Sequence, residues 1–296
     1  MEAKFNNISN IYSVFEILKD VKVDQVMNFS KSGIKIKDIS TDKILVFEFN
    51  IEGKNLVEYK YDGTVKKIGF STLYLCQVLK MIEKDTLMSL KINSGLTNKI
   101  IIVSKNQNCT KESTFEIDTN DFEVSETQQM SINNLFYITM KTDEFYKTIS
   151  HYKNFGNSVV TLICSENVFR IESIGQSIKT KQEYGYDSKC ATENPDGIQI
   201  KYLGDEKGVK QTMATYSIDS ILKFKKCTKL GPKIEIYISD KNLLWLSHDV
   251  GNIGKLKTII SPTSRCCYVE NNEDENGDES DNEIDYSEDY DDVDFI

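Results

Sequence analysis

The sequence predicts an α+β protein: antiparallel sheets carrying four short helices, arranged as an internal repeat. Three observations predict it. Short segments rich in Ile, Val, Phe and Tyr alternate polar and apolar residues, the period of a half-buried strand. Four other segments carry the i, i+3, i+4, i+7 spacing of an amphipathic helix. Those helices start near residues 9, 71, 142 and 216, with strands after each, a repeat of roughly 70 residues.

In chain order, the first helix places Ile11, Val14, Phe15 and Leu18 on one face. The strands IKIKDIS, KILVFEFNI and LVEYKYD follow, separated by KSG, IEGKN and YDGT turns. Ser71 is expected to cap the second helix, with Leu75, Val78, Leu79 and Ile82 facing inward. KIIIVSK, STFEIDT and FYITMK are the next strands. Thr142 is expected to cap the third helix, with Asp143 and Glu144 in its positive first turn and Phe145, Ile149 and Tyr152 on its apolar face. SVVTLIC, VFRIES and GIQIKYL come next. Ser217 is expected to cap a fourth helix with Ile218, Ile221 and Leu222 facing in, and KIEIYIS and NLLWLSH close the series.

Composition excludes several classes. Only 3 Pro and 15 Gly stand against 15 Tyr and 14 Phe in 296 residues, so the chain is not collagenous or dominated by linkers. The apolar runs are too short to span a bilayer, and MEAKFNNISN holds no signal-peptide core, so an intracellular protein is expected. The seven cysteines (76, 109, 164, 190, 227, 266 and 267) show no paired zinc-knuckle spacing, and only His151 and His248 accompany them. Reduced thiols and no metal or other cofactor are the expectation. No phosphate loop, Ser-His-Asp order or acidic metal cluster marks an active site, and His151 reads as a surface residue.

The net charge of -10 divides unevenly. Residues 270–296 hold 14 acids and no base, so the remaining chain has 32 acids against 36 bases, a net of +4. A mildly basic body thus precedes an acidic tail expected to be disordered. Each predicted helix carries lysine in its middle or last turn: Lys19; Lys80; Lys147 and Lys153; Lys223, Lys225 and Lys226. Helices on one face of continuous sheet would align these into a basic stripe suited to a phosphate backbone.

The order of segments resembles the sliding clamps of the proliferating cell nuclear antigen (PCNA) family over residues 1 to about 263. MEAKF with VFEILKD resembles the opening strand and first helix. FSKSGIKIKDIS with KILVFEF resembles the following hairpin, and STFEIDTNDFEVSETQQMSINNLFYITMKTDEF the stretch through the interdomain connector. GNIGKLK followed by ISP is the most specific signature.

The resemblance implies a DNA-clamp fold with domains at 1–118 and 134–269, a connector at 119–133 and a tail at 270–296. It implies a ring of three identical chains around double-stranded DNA, without an active site. Such a clamp is a processivity factor for DNA replication and repair, with DNA polymerase, the clamp loader and other clamp-binding-motif proteins as partners and no membrane. DNA-facing positions fall on Lys4, Lys19, Lys80, Lys147 and Lys226, with Lys153 and Lys223 nearby; Tyr12, Gln77, Ser150 and Asp219 depart from the basic pattern. The partner-peptide groove falls on Ile39, Lys43, Ile44, Val46, Leu243, Ile259, Ile260, Ser261 and Pro262. The connector has Thr127 and Gln129 where the family has aliphatics, leaving Phe122, Val124 and Met130 as apolar contacts. Edge strands at 113–119 and 175–182 would join subunits through Phe115, Ile117, Ile178 and Thr180.

Competing readings are a subunit of a heterotrimeric checkpoint clamp and a monomeric, non-encircling polymerase accessory protein. The divergent connector and a composition rich in Ile, Lys and Asn point to a large DNA virus or a protist. The place of action would be the nucleus, or a cytoplasmic replication factory if the chain is viral.

Overall fold

The computed structural model describes residues 1–6, 8–83, 86–92, 99–106, 111–119, 132–175, 178–185, 197–204 and 211–263. The connector residues 120–131, the tail 270–296 and the cysteines at 109, 190, 266 and 267 lie outside the described residues.

The first half runs β1 (Glu2–Phe5), α1 (Ile8–Val21), β2 (Asp24–Ser30), β3 (Gly33–Ile39), β4 (Leu45–Glu52), β5 (Glu58–Lys60), β6 (Lys67–Ser71), α2 (Thr72–Met81), β7 (Thr86–Lys91), β8 (Lys99–Asn106) and β9 (Glu112–Asp118). The second runs β10 (Asn134–Lys141), α3 (Thr142–Asn154), β11 (Val159–Ser165), β12 (Val168–Ile174), β13 (Lys179–Gly185), β14 (Gln199–Tyr202), β15 (Gln211–Ser217), α4 (Ile218–Leu222), β16 (Lys233–Ser239), β17 (Leu244–Val250) and β18 (Gly254–Ile260). Both halves read strand, helix, five strands, helix, three strands.

Sheet order repeats as faithfully. In the first half β5-β1-β7-β8-β9 forms one sheet, and β6-β2-β3-β4 forms part of another. The second half repeats these as β14-β10-β16-β17-β18 and β15-β11-β12-β13. One junction joins the halves: β18 pairs antiparallel with β4, Ile260 opposite Leu45 and Gly254 opposite Ile51, making a nine-stranded sheet. The counterparts of β18 and β4, which are β9 and β13, lie at the ends of their sheets.

The core follows from two periods. In β4, Leu45, Phe47, Phe49 and Ile51 are buried and Val46, Glu48 and Asn50 alternate outward. In α1, Ile11, Val14, Phe15 and Leu18 are buried as their spacing predicts. Phe15 sets its ring edge-on to Phe49 and Phe70, 6.3 and 5.9 Å between centroids, clamping α1 to β4 and β6.

Two caps differ from expectation. Ser217 does cap α4, accepting from the Ser220 N–H at 3.3 Å. Ser71 occupies the cap position of α2 without a side-chain bond, and Lys141 takes that position in α3. In both, a strand runs straight into the helix, and the threonine at its first residue turns inward. Thr72 donates to the Val23 carbonyl at 2.7 Å and Thr142 to the Gly231 carbonyl at 3.0 Å, so each hydroxyl ties the helix to a neighbouring loop. The fourth helix stops at Leu222, and Lys225–Lys229 form a 3-10 turn.

His248 of β17 is fully enclosed, 3.0 Å by Nε2 from the Tyr146 hydroxyl of α3. Burial pushes its pKa from 6.5 down to about 3. Below pH 6.5 the unfolded chain binds a proton there that the folded chain does not, so stability falls with pH through this window. His248→Gln is expected to flatten the dependence of urea-unfolding free energy on pH as pH is lowered from 6.5 to 5, by a slope that approaches about 1.4 kcal/mol per unit at the acid end. Parallel slopes for the two proteins would contradict it.

Candidate nucleic-acid and partner interfaces

The helices form one layer. α1 packs against α2 on one side and against the 3-10 turn on the other, and α3 packs against α4 and the same turn. The inward faces are apolar, so the charged residues line the open side. Lys80 and Lys147 are exposed there, and neither has an ion-pair partner among the described residues. The exposed His151 lies on α3 one turn from Lys147.

Exposed Lys225 likewise has no ion-pair partner among the described residues, and the other lysines of the expected stripe are held by carboxylates. Lys226 Nζ lies 2.7 Å from Asp20 and 3.6 Å from Glu16 of α1, and its pKa is raised chiefly by the Asp20 bond. Lys19 reaches the same Asp20 at 3.9 Å, so the structure brings Lys19 and Lys226 together around one carboxylate. Lys153 bonds Asp219 at 2.5 Å across α3 and α4, which neutralises the acid that departs from the basic pattern. Lys223 reaches away to Asp42, 2.8 Å distant in the β3–β4 turn. Burial opposes ionisation of Asp42. Hydrogen bonds from Lys223, the Ser40 hydroxyl and the Ile44 N–H outweigh it and bring the pKa to about 2. The structure does not bring Lys4 to the helices: it sits on β1, bonded to Glu58 and 3.9 Å from Glu2.

The outer face of the nine-stranded sheet carries several of the residues expected to form the groove. Directly opposed residues on neighbouring strands share a face. Ile39 stands opposite Val46, and Val46 opposite Ile259, all half-buried. Ile44 is exposed beside them, its carbonyl accepting from the Ser261 N–H at 3.1 Å, and Pro262 follows. Lys43 sits in the turn with φ at 57°. Two expected wall residues face elsewhere. Ile260 is fully buried opposite Leu45 and Leu244, because strand alternation sends it inward, and Leu243 is buried behind the Ser239 turn.

Sequence reasoning missed how far this row continues. Ile259 stands opposite Trp245, Trp245 opposite Tyr237, and Tyr237 opposite Tyr137, with the two tyrosine rings 4.9 Å apart. Lys201 of β14 ends the row, its Nζ 6.0 Å from the Tyr137 ring centroid. The available signal was aromatic residues at the outward positions of KIEIYIS, NLLWLSH and FYITMK.

The β9 and β13 edges differ in charge. Exposed Glu112, Glu116 and Asp118 lie on β9, while β13 exposes Lys179 and Lys181 with Glu183. Phe115 of β9 is half-buried, and Ile117 is buried in its own core rather than offered to a neighbour. Ile178 is exposed just before β13, and the Thr180 hydroxyl bonds the Ser173 carbonyl at 3.2 Å. Exposed Met81, beside Phe115, borders the β9 edge; exposed Ile174 ends β12, the strand next to β13.

Residues 1–127 match the family described as proliferating cell nuclear antigen, N-terminal domain. A protein of Acanthamoeba polyphaga mimivirus called a probable DNA polymerase sliding clamp is 26% identical over 234 residues, 78% of this chain and 47% of its own length. The chain therefore spans about half the length of that relative. Probable DNA polymerase sliding clamp 1 of Paramecium bursaria Chlorella virus 1 is 22% identical over 264 residues, 85% of this chain and 92% of its own length. Among solved structures, the proliferating cellular nuclear antigen of Entamoeba histolytica superposes with a TM-score of 0.75 at 18% identity, covering 89% of this chain and 98% of that one. The PCNA2–PCNA3 complex of Sulfolobus tokodaii gives 0.74 at 17%, covering 89% and 99%. The duplicated fold is the one seen in these PCNA structures, and residues 1–127 match the PCNA N-terminal domain, with the two viral sliding clamps similar at low identity.

Proposed function

We propose that the chain is a DNA sliding clamp, a ring that encircles duplex DNA and tethers DNA polymerase and other replication and repair proteins at the site of DNA replication. One observation carries this reading: the β18–β4 junction inside the chain has an unused counterpart in β9 and β13. Open edges present unpaired N–H and C=O groups that favour pairing with another chain. An acidic β9 edge suits a β13 edge carrying Lys179 and Lys181, so identical copies join head to tail. A ring closes when that step repeats, and three copies are the number the family resemblance supplies. The halves are then two clamp domains joined by residues 119–133. The clamp loader would open the ring, and the reading assigns the chain no catalytic step.

Light scattering on the purified chain is expected to give three times 33.9 kDa. A monomer at micromolar concentration would overturn the ring and favour a non-encircling accessory protein.

Double-stranded DNA is the polyanion for the helix layer, held through phosphates and without sequence preference. Lys80 and Lys147 are among the cations already free to meet phosphate, whereas Lys223 and Lys226 hold carboxylates. Lys80→Ala with Lys147→Ala is expected to lower the salt slope of duplex binding by about two, since each lost phosphate contact removes about one. Lys223→Ala with Lys226→Ala is expected to change that slope less. Equal slopes for the two double variants would show that ion pairing does not decide which lysines touch DNA.

A peptide of the clamp-binding pattern is expected to bind beside Ile44, Val46 and Ile259, with its aliphatic and aromatic anchors on that apolar end. Ile44→Glu should abolish this binding in calorimetry, because burying an unpaired carboxylate costs more than a micromolar peptide can lose. Unchanged binding would place the groove elsewhere.

A further inference from the structure

The outward row across the nine-stranded sheet is longer than a groove for three anchors requires. It crosses seven strands from Ile39 to Lys201, a span of about 29 Å at the usual strand spacing. Its far part is aromatic, with Trp245, Tyr237 and Tyr137 in consecutive strands. Lys43 beside the row, and Lys201 at its end, have no ion-pair partner among the described residues. The surface therefore offers an aromatic strip with ammonium groups at its two ends. A segment alternating aromatic residues with carboxylates matches both.

The chain contains such a segment. From Ile284 to Ile296, the residues Ile284, Tyr286, Tyr290, Val293, Phe295 and Ile296 are interleaved with Asp285, Glu288, Asp289, Asp291, Asp292 and Asp294. Its connection starts at the right place. Thr263, the last described residue, is tied by its N–H and hydroxyl to the Thr215 carbonyl, four residues beyond Ile259 of the row. The 23 residues from Thr263 to Tyr286 reach at most about 80 Å, more than the row's whole length. We propose that the acidic, aromatic segment 284–296 docks on the Trp245–Tyr237–Tyr137 strip of its own chain and competes there with partner peptides entering from the Ile44 end. The contact stands on the sheet geometry and charge; the competition rests on the groove reading given above. Tethering supplies an effective concentration in the millimolar range, so even a weak contact delays an incoming peptide without excluding it.

Trp245 is the one tryptophan of the chain and reports directly on the strip. The full chain is compared with a variant carrying Tyr286→Ser, Tyr290→Ser and Phe295→Ser, which keeps all 14 tail acids and leaves the described fold untouched. Selective tryptophan excitation is expected to show the variant's emission shifted to longer wavelength and more strongly quenched by acrylamide. Adding a synthetic 284–296 peptide should reverse both changes, and clamp-binding peptides should bind the variant about two- to tenfold more tightly. Identical emission and quenching in the two proteins would overturn the proposal. So would a change obtained only by replacing tail acids with amides, since that contact would be charge alone. A fluorescence difference with no peptide binding to either protein would uphold the contact and count against the groove.

Discussion

The pairing of β18 with β4 is the interaction on which the rest of the architecture depends. A five-stranded unit and a four-stranded unit each end in strands with one unsatisfied row of backbone groups. Joining β18 to β4 inside the chain satisfies two such rows and leaves their counterparts β9 and β13 among the remaining sheet ends. Because the halves share one strand order, these two match the pair already joined. On the ring reading proposed above, the junction inside the chain is the pattern for the contact between chains, since another copy added in the same sense would cover β9 and β13.

That junction also separates two surfaces with different chemistry. The inward face of the nine-stranded sheet packs against helices and is mostly apolar, with Phe47, Phe49 and Leu256 fully buried and His248 and Thr258 enclosed among them. Among the described residues no helix covers the outward face. Strand alternation makes the division: Ile259 and Ile260 are adjacent in sequence, yet one faces outward and the other lies in the core. On the helix side the same division sets Leu18 inward and Lys19 outward.

The fold was largely legible because its two periods are strong. Phe15 and Leu18 announce α1, and the alternation of KILVFEFNI announces β4. Strands with weak alternation were not legible. QTMATYS of β15 buries Thr212 and Ala214, which are not apolar enough to stand out, and DQVMNFS of β2 buries consecutive residues instead of alternate ones. The capping expectation for Thr142 failed because a hydroxyl can be satisfied by a distant loop that sequence does not place nearby. The basic stripe was legible as a count of lysines but not as a set of available charges. Asp20 and Asp42 lie far from Lys226 and Lys223 in the chain, and only the folded α1–turn contact and the β3–β4 turn bring them within bonding distance. The aromatic strip was hidden for a related reason, since cross-strand register aligns residues from seven separate segments.

The ion pairs change what the helix layer can do. A face of bare lysines would hold phosphate tightly, and each release would carry a large electrostatic cost. Here Lys19 and Lys226 share Asp20, and Lys153 holds Asp219, in exposed or half-exposed pairs worth little in water. Such pairs exchange a carboxylate for a phosphate at small net change in free energy. On the clamp reading, such a layer would be attractive over its length and strongly binding at few points, which would permit movement along a duplex. Retention would then come from topology, through pairing of the β9 and β13 edges. A weakly gripping helix layer and a demand for paired strand ends would be two parts of one physical solution.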